Sequence, residues 1–442
     1  MTTLDTRRST TAATDPGIAD VLARALRPLV GGELPVRLSA WDGSAAGPVA
    51  APHVLLRSPR ALRRLLRHPG ELGAAQAYVT GELDVEGDLD AALTHVWRVA
   101  RERRLGGIRP TAATVAALLR AARHTGALGR PLPPPPTQAV VRGRLHSLGR
   151  DRDAIHHHYD LSNEFYELVL DPHLAYSCAY WTSEDPGYTL EDAQRDKLDL
   201  VCRKLGLAPG MRLLDVGCGW GSMSLYAAEH WGVDVTGVTI AAEQKAFVDN
   251  RIRERGLGDR ARVRLQDYRQ VSDGPYDAVV SLEMGEHVGE RNYPRYARVL
   301  HDAVRPGGRV LVQQMSRRGR HPGGGPFIEA FIAPDMHMRP VGDTVALLED
   351  SGLEVRDVHS LREHYVRTVH AWLEAFEASH DRVVELVGEE VARVWRLYLV
   401  GGAMAFRDGR MGVDQVLAVR PGPDGFPEGA TGVDGRRPAA WS

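Results

Sequence analysis

The sequence predicts an α/β fold in which a doubly wound, Rossmann-like domain follows a smaller α+β domain. From Arg212 onward, short apolar segments alternate with segments of helical spacing. This alternation favours a parallel sheet with helices on both faces. The first apolar segment, Arg212–Val216, runs directly into the glycine-rich turn Gly217–Gly221. The pattern changes after the four prolines Pro133–Pro136, which cannot lie inside a helix and form a stiff spacer.

The domain organisation follows from these changes of pattern. The predicted parts are a disordered tail (1–15), an N-terminal domain (16–128), a proline-rich linker (129–142), the α/β domain (143–420) and a flexible Gly/Pro-rich tail (421–442).

Apolar spacing predicts the individual elements. In the N-terminal domain it predicts helices over 18–29, 58–66, 89–99 and 111–127, and strands over 35–41 and 54–56. In the α/β domain it predicts strands over 212–216, 233–238, 262–265, 278–281 and 309–314, and helices over 223–230, 241–255 and 293–304.

Composition excludes several classes of protein. The formal net charge of −2 over 442 residues argues against a dedicated nucleic-acid binder. The N-terminus lacks the apolar core of a signal peptide, and no apolar run reaches about 18 residues, so any membrane contact is expected to be peripheral. Three scattered cysteines form no disulfide framework and favour a cytoplasmic protein. The neighbouring His156–His158 cannot converge on one ion, so we expect no metal site.

The ends of three successive predicted strands carry residues suited to a nucleoside. Glycines after the first strand let a ligand approach the backbone closely. Taken alone, this turn fits an ordinary strand–helix connection or a dinucleotide site equally well. The second and third strand ends add a position for a ribose and an acidic and aromatic pair for an adenine. The residues concerned are Asp215, Gly217 and Gly219, then Thr239 and Gln244, then Gln266, Asp267 and Tyr268.

Further segments, in order, give the α/β domain a family resemblance. They are His158–Asn163, Tyr176–Trp181, Glu286–Gly289, Tyr365 and Ala403–Arg407. Together with the strand ends, they make residues 154–419 similar to the cyclopropane-fatty-acid synthases and mycolic-acid cyclopropane synthases. The resemblance implies a class I methyltransferase domain that uses S-adenosylmethionine (SAM). It implies SAM contacts from Tyr176, Ser177, Gly217, Gly219, Thr239, Gln244, Asp267 and Tyr268.

Two positions depart from the family pattern. In the family, a bicarbonate ion beside the reacting carbon is held by Cys, Glu, His and Tyr, and the resemblance places Cys178, Glu286 and Tyr365 in three of these roles. Gln313 occupies the position of the histidine. Glu283 occupies a position that is commonly glycine. We therefore predict that the Glu283 carboxylate replaces the ion.

The chemistry implied by the resemblance is methyl transfer to the cis double bond of an acyl chain. The resulting carbocation requires a dry site, stabilisation of positive charge and a base. We predict Glu283 as that base and a methylene-substituted chain as the product, a precursor of a methyl-branched fatty acid. A cyclopropane ring is the alternative product. A small-molecule methyltransferase and a catalytically inactive lipid-binding protein are the alternative functions.

The expected partners follow from the substrate. Arginine-rich stretches at 57–67 and 98–109, with Arg120, Arg123 and Arg130, mix with apolar residues in the N-terminal domain. Such a surface suits anionic phospholipid headgroups at the inner face of the cell membrane, although solvated helix faces look the same in sequence. A phospholipid with an unsaturated acyl chain is the expected substrate, and a reductase would act on a methylene product. The sequence leaves homo-oligomerisation open.

Overall fold

The computed structural model describes residues 16–105, 111–139, 162–319 and 321–422. The chain forms two compact units, Met1–Pro135 and Pro136–Ser442. The predictions made for the tail 1–15, for His156–His158 and for residues 423–442 lie outside the described residues.

The first unit combines a four-stranded sheet with helices. The strands are β1 (Arg37–Ser39), β2 (Ala45–Ala46), β3 (His53–Leu56) and β4 (Leu83–Glu86), in the spatial order β2-β1-β3-β4. The helices are α1 (Ile18–Leu26), α2 (Pro59–Arg67), α3 (Glu71–Val79), α4 (Leu89–Glu102) and α5 (Ala112–His124). The sequence did not predict α3 or β4. Helix α3 is buried around most of its circumference and therefore lacks the apolar stripe by which a surface helix is recognised.

The second unit contains a seven-stranded sheet. Its strands are β5 (Arg212–Val216), β6 (Asp234–Thr239), β7 (Ala261–Leu265), β8 (Tyr276–Leu282), β9 (Val304–Arg317), β10 (Glu354–Ser360) and β11 (Met411–Val419). They lie in the order β10-β11-β9-β8-β5-β6-β7. Strands β5 to β9 are parallel, and β11 is antiparallel to both β9 and β10. The predicted parallel sheet is present in β5 to β9, and the antiparallel β11 follows a helix-rich segment for which the sequence predicted no elements.

Helices cover this sheet. They are α6 (Asn163–Val169), α7 (Leu190–Leu205), α8 (Ser222–Trp231), α9 (Ala242–Glu254), α10 (Tyr293–Ala303), α11 (Pro326–Phe331), α12 (Val341–Glu349), α13 (Arg362–Ala378), α14 (His380–Val387) and α15 (Glu389–Arg407). No helix in the described parts of the chain is long and apolar enough to cross a membrane.

One edge of the sheet positions the candidate site. Strands β5 to β10 all run in the same direction, and their carboxyl ends meet at this edge. The antiparallel β11 begins there, with Met411 opposite Arg317. Ligands of open α/β sheets bind outside this edge. The aromatic core made by α6, α13 and α15, which includes Tyr166, Trp372 and Trp395, flanks the same region. We call this edge the carboxyl edge.

Candidate active site

Glu283 lies at the carboxyl end of β8, in an unusual backbone conformation. Its φ angle is +49°, a left-handed value that non-glycine residues rarely adopt. Its backbone N–H donates to the carbonyl oxygen of Gln313 at 2.6 Å, so the neighbouring strand holds this turn in place. Strained residues of this kind cluster at functional sites.

Three donors converge on the Glu283 carboxylate. Oε1 accepts from the Cys178 backbone N–H at 2.7 Å and from Gln313 Nε2 at 2.8 Å. Oε2 accepts from the Tyr365 hydroxyl at 2.5 Å. Burial raises the pKa of Glu283, and these three hydrogen bonds together with the Lys197 ammonium oppose that rise. The structure thus brings together Cys178, Glu283, Gln313 and Tyr365, which we call the carboxylate cluster.

Gln415 orients the Gln313 amide. Gln415 lies opposite Gln313 on β11, and its Nε2 donates to Gln313 Oε1 at 2.9 Å. An ionised carboxylate only accepts hydrogen bonds, so Gln313 must turn its NH₂ group toward Glu283 and its oxygen toward Gln415. Gln415 Oε1 is then buried without a partner among the described residues, which is the cost of this arrangement.

Cys178 contributes its backbone rather than its thiol. The thiol is buried and donates to the carbonyl oxygens of Ala179 at 3.3 Å and Leu361 at 3.6 Å. Burial and the nearby Glu283 charge raise the pKa of Cys178 well above its ordinary value, so the group remains a neutral thiol. A neutral, enclosed thiol is a poor nucleophile.

Glu286 does not join the carboxylate cluster. It is fully buried, and within the described chain neither carboxyl oxygen has a hydrogen-bond partner. Burial, followed by the charge of Glu283, raises the pKa of Glu286 to about 8, and the backbone N–H groups of Glu286 and Met315 and the Arg339 charge oppose this rise. Burial therefore favours the neutral form of Glu286, which interacts electrostatically with Glu283 without a hydrogen bond to it.

The glycine-rich turn leaves open space above β5. Gly217 and Gly219 have φ angles of +78° and +54°. A Cβ at Gly217 would meet the Met284 side chain at 2.7 Å, whereas a Cβ at Gly219 would meet no atom within 4 Å. Asp215, at the end of β5, accepts from Ser224 Oγ at 2.7 Å, and burial raises its pKa to about 6.

Residues at the ends of β6 and β7 form the rest of this side of the pocket. Thr239 Oγ1 donates to Gln244 Oε1 at 3.0 Å, and both side chains are buried. Asp267 is tied to Arg269 by an ion pair of 2.7 Å. Its carboxylate is thus already committed to its own turn, which the sequence did not indicate. Gln266, by contrast, is half-buried and donates to the Gln270 carbonyl oxygen at 2.7 Å, and Tyr268 is buried beside it.

Tyr176 and Ser177 lie between the turn and the carboxylate cluster. The Tyr176 hydroxyl donates to the Tyr398 hydroxyl at 3.0 Å. Its ring packs near Trp372 and Trp395, with centroids 5.3 and 6.1 Å away. Aromatic faces in this arrangement can stabilise a positive charge.

Helix α7 supports this segment with two buried polar residues that the sequence reading missed. Gln194 Nε2 donates to the carbonyl oxygens of Ala175 and Ser177 at 3.0 and 2.8 Å. Lys197 Nζ donates to Ser177 Oγ at 2.9 Å and is fully buried, which lowers its pKa. A signal existed, because both residues lie on the stripe of α7 that also carries the buried Val201.

The arrangement of groups at the ends of β5, β6 and β7 fits an adenosine ligand. Open space in front of Gly219, two buried polar groups after β6 and an aromatic ring after β7 suit the parts of a nucleoside. Among the residues that the structure describes, no group of three or more His, Cys, Asp or Glu side chains could hold a metal ion.

Comparison with known proteins gives consistent matches. A family model described as mycolic acid cyclopropane synthetase matches residues 146–416. A probable fatty acid methyltransferase of Mycobacterium tuberculosis is 38% identical over 403 residues, which cover 89% of this chain and 93% of that protein. The cyclopropane-fatty-acyl-phospholipid synthase of Escherichia coli K12 is 38% identical over 250 residues, which cover 57% of this chain and 63% of that protein.

A solved structure extends these matches to the fold. A crystal structure of a mycolic acid cyclopropane synthase, complexed with SAH and CTAB, is 34% identical with a TM-score of 0.56. The similarity covers 61% of this chain and 98% of that one. The predicted Rossmann-like methyltransferase fold is confirmed by this match and by the parallel strands of the sheet.

Proposed function

The chain belongs to the mycolic acid cyclopropane synthetase family, and from this premise we propose that it methylates the cis double bond of an unsaturated acyl chain in a phospholipid. We propose a methylene-substituted chain as the product. The observation that carries the proposal is the Glu283 carboxylate, which accepts hydrogen bonds from Cys178, Gln313 and Tyr365. Three of the four positions where the family resemblance implied a bicarbonate site thus contact a carboxylate of the chain itself.

The cofactor of the family is SAM, as the sequence predicted. When bound, SAM supplies an activated methyl group. In this chain the open space at Gly219 would admit the cofactor, with Asp215 at the end of β5 and with Thr239 and Gln244 on the ribose side. Asp267 and Tyr268 would border the adenine.

The reaction requires one proton to leave the acyl chain. One carbon of the double bond gains the methyl group, and the other becomes a carbocation. If a hydride then migrates from the methylated carbon, loss of a proton from the new methyl group leaves an exocyclic methylene. Direct loss of a methyl proton closes a cyclopropane ring instead. Both routes need a base, and Glu283 accepts the proton to become a neutral acid.

The position of the base supports the methylene product. A free ion takes its position from its ligands alone, whereas the Glu283 carboxylate is tethered to the strained turn after β8. Both routes remove a proton from the new methyl group, so we propose that a base held by this turn takes it only after the hydride has migrated, which gives the methylene. The ring-forming reaction remains the alternative. The inactive lipid-binding alternative is disfavoured because a fully assembled carboxylate cluster has no use in a protein that only binds lipid.

The product is tested by proton NMR of lipids from a host that expresses the chain. Both products add the same mass, so mass spectrometry cannot separate them. We expect olefinic signals from exocyclic methylene protons. Cyclopropyl signals alone, far upfield, would show that the methylene assignment is wrong. Lipids from a host with an empty vector are the control.

The acid limb of the pH profile should reflect Glu283. A base works only when deprotonated, and burial raises the pKa of Glu283, so kcat should fall on acidification at a pH above the ordinary titration range of glutamate. The Lys197 charge lowers this pKa, so Lys197→Met should move the acid limb to higher pH. Lys204→Met is the matched control, because Lys204 is a buried lysine of the same helix that pairs with Asp357 instead. Equal pH profiles for Lys197→Met and the wild type would show that the Lys197 charge does not lower the pKa of the base.

The substrate implies contact with the inner face of the cell membrane, and the first unit offers part of a basic surface. Some of the predicted arginines are committed internally: Arg60 and Arg64 pair with Glu82, and Arg57 pairs with Asp84. On and after α5, however, arginines and leucines are exposed together. These are Leu119, Arg120, Arg123, Leu128 and Arg130.

Vesicle binding should therefore depend on charge. Binding of the full chain to phosphatidylglycerol vesicles should weaken as salt rises. The double variant Arg120→Gln/Arg123→Gln should weaken it roughly 30-fold, since each surface arginine contributes on the order of 1 kcal/mol. Equal binding to phosphatidylcholine vesicles at high salt would contradict this prediction. In the cell, a reductase would complete the methyl branch.

A further inference from the structure

A second polar cavity lies at the carboxyl edge, outside the residues already assigned. Its volume is about 680 Å³, which is within the usual range for small-molecule sites. Five arginines line it, against two carboxylates, Asp408 and Asp414. The arginines are Arg317, Arg318, Arg362, Arg407 and Arg410.

The lining of this cavity carries a net positive charge, with one of its arginines, Arg362, already paired with Glu363. Asp408 lies 4.0 Å from Arg410, and Asp414 accepts from Ser316 Oγ at 2.7 Å. Burial raises the pKa of Asp414, which favours its neutral form. Guanidinium groups bind phosphate through paired N–H donors, so a cavity with this lining suits a phosphoryl group.

The residues that line the cavity are linked to the carboxylate cluster through β9 and α13. Arg317 and Gln313 lie four residues apart on β9, so their side chains share a face of the sheet about 13 Å apart along the strand. In the first turn of α13, Arg362 lines the cavity and Tyr365 donates to Glu283. Arg362 Nη1 also donates to the carbonyl oxygen of Phe406 at 2.9 Å, and the Phe406 ring packs on Tyr365 with centroids 4.4 Å apart.

The order of the sites along the sheet indicates which end of the substrate the cavity faces. The nucleoside edge lies at β5, β6 and β7, and the carboxylate cluster lies at β8 and β9. The arginine cavity lies where β9 and β10 end and β11 begins. For an acyl chain whose double bond lies at Glu283, the arginine cavity is on the side of the sheet away from the cofactor. The polar end of the substrate would meet the cavity.

We propose that this arginine cavity binds the phosphate of the substrate phospholipid headgroup, and so selects phosphate-bearing acyl chains over neutral ones. The proposal rests on the proposed function, because it assumes an acyl substrate. It adds that the arginines recognise the other end of that substrate through its phosphate. Free phosphate offers the same oxygens, so the experiment must separate the two sources.

The test uses the double variant Arg318→Gln/Arg407→Gln, since both side chains are exposed and tolerate substitution. Activity is measured on oleoyl lysophosphatidylglycerol and on oleoylglycerol, which carry the same chain with and without phosphate. We expect the variant to lower the preference for the phosphate-bearing substrate about tenfold, through KM, with kcat and SAM affinity unchanged. Arg298→Gln, an exposed arginine of α10, is the matched control and should change nothing.

Calorimetry with inorganic phosphate provides the second arm. In the wild type we expect inorganic phosphate to bind and to inhibit competitively. Loss of both effects in the double variant, together with the lowered substrate preference, would support the headgroup assignment. Phosphate binding lost without any change in preference would identify a free-phosphate site and overturn the headgroup assignment. An unchanged preference and unchanged phosphate binding would overturn the site itself. If the wild type methylates neither substrate, the proposed function fails, and loss of phosphate binding in the variant still decides whether the cavity binds phosphate.

Discussion

Glu283→Gln is expected to lower kcat by about 10³-fold, within the usual contribution of a general base. The amide has nearly the same shape as the carboxylate but only one oxygen, so it can accept from the Cys178 N–H or from the Tyr365 hydroxyl, which contact different carboxylate oxygens, and not from both. It cannot accept a proton from the acyl chain, however, and its NH₂ group faces donors where the carboxylate presented oxygen. The affinity for SAM should stay within about twofold, because Glu283 lies on the acyl side of the site. The measurement is kcat with a fixed phospholipid, together with calorimetry of SAM.

The control for this variant is Glu349→Gln, which makes the same change at an exposed position of α12. It should leave kcat and SAM affinity as they are. Full activity in Glu283→Gln would show that another group removes the proton. Loss of SAM affinity together with kcat would instead show that Glu283 supports the whole site rather than the proton transfer.

Gly219→Val is expected to abolish measurable SAM binding. The φ angle of +54° strains any side chain, and the new Cβ would point into space that no protein atom occupies within 4 Å. That space lies in front of the turn where the cofactor is expected, so the valine would exclude it. Calorimetry with SAM measures the effect, and kcat should fall below detection in parallel.

Gly256→Val separates exclusion of the cofactor from backbone strain. Gly256 also has a positive φ, of +65°, and an added Cβ there would likewise meet nothing within 4 Å. It follows α9 and is remote from the strand ends that form the pocket. We expect similar losses of thermal stability in the two variants and loss of SAM binding only in Gly219→Val. This result would show that the valine excludes the cofactor and does not act through backbone strain. Unchanged SAM affinity in a folded Gly219→Val protein would show that this turn does not contact the cofactor.

Much of the candidate site could be predicted because it lies near strand ends. Glu283 and Gln313 were singled out as paired departures, and their side chains are in contact at 2.8 Å. The prediction that Glu286 belongs with them stays untested as to role, although the structure gives it no hydrogen bond to the cluster. Gln415 could not be predicted, because its role depends on the register of β11 against β9, across 102 residues of sequence.

The fold was predictable where apolar periodicity was strong. Strands β5 and β6 and helix α9 lie within one or two residues of their predicted bounds. Strand β9 begins at Val304, earlier than predicted, because Pro306 and two glycines mask its start in the sequence. The arginine cavity was invisible to the sequence reading, since it joins residues from β9, α13 and the α15–β11 turn that only the folded sheet brings together.

The central claim is that a carboxylate of the chain replaces a bound ion in the reaction. The most direct test is methylation activity in buffer depleted of carbon dioxide and bicarbonate, followed by measured additions of bicarbonate. We expect the wild-type rate to be the same before and after each addition, because Glu283 already occupies the three donors of the cluster. A rate that falls on depletion and is restored by bicarbonate would contradict the account.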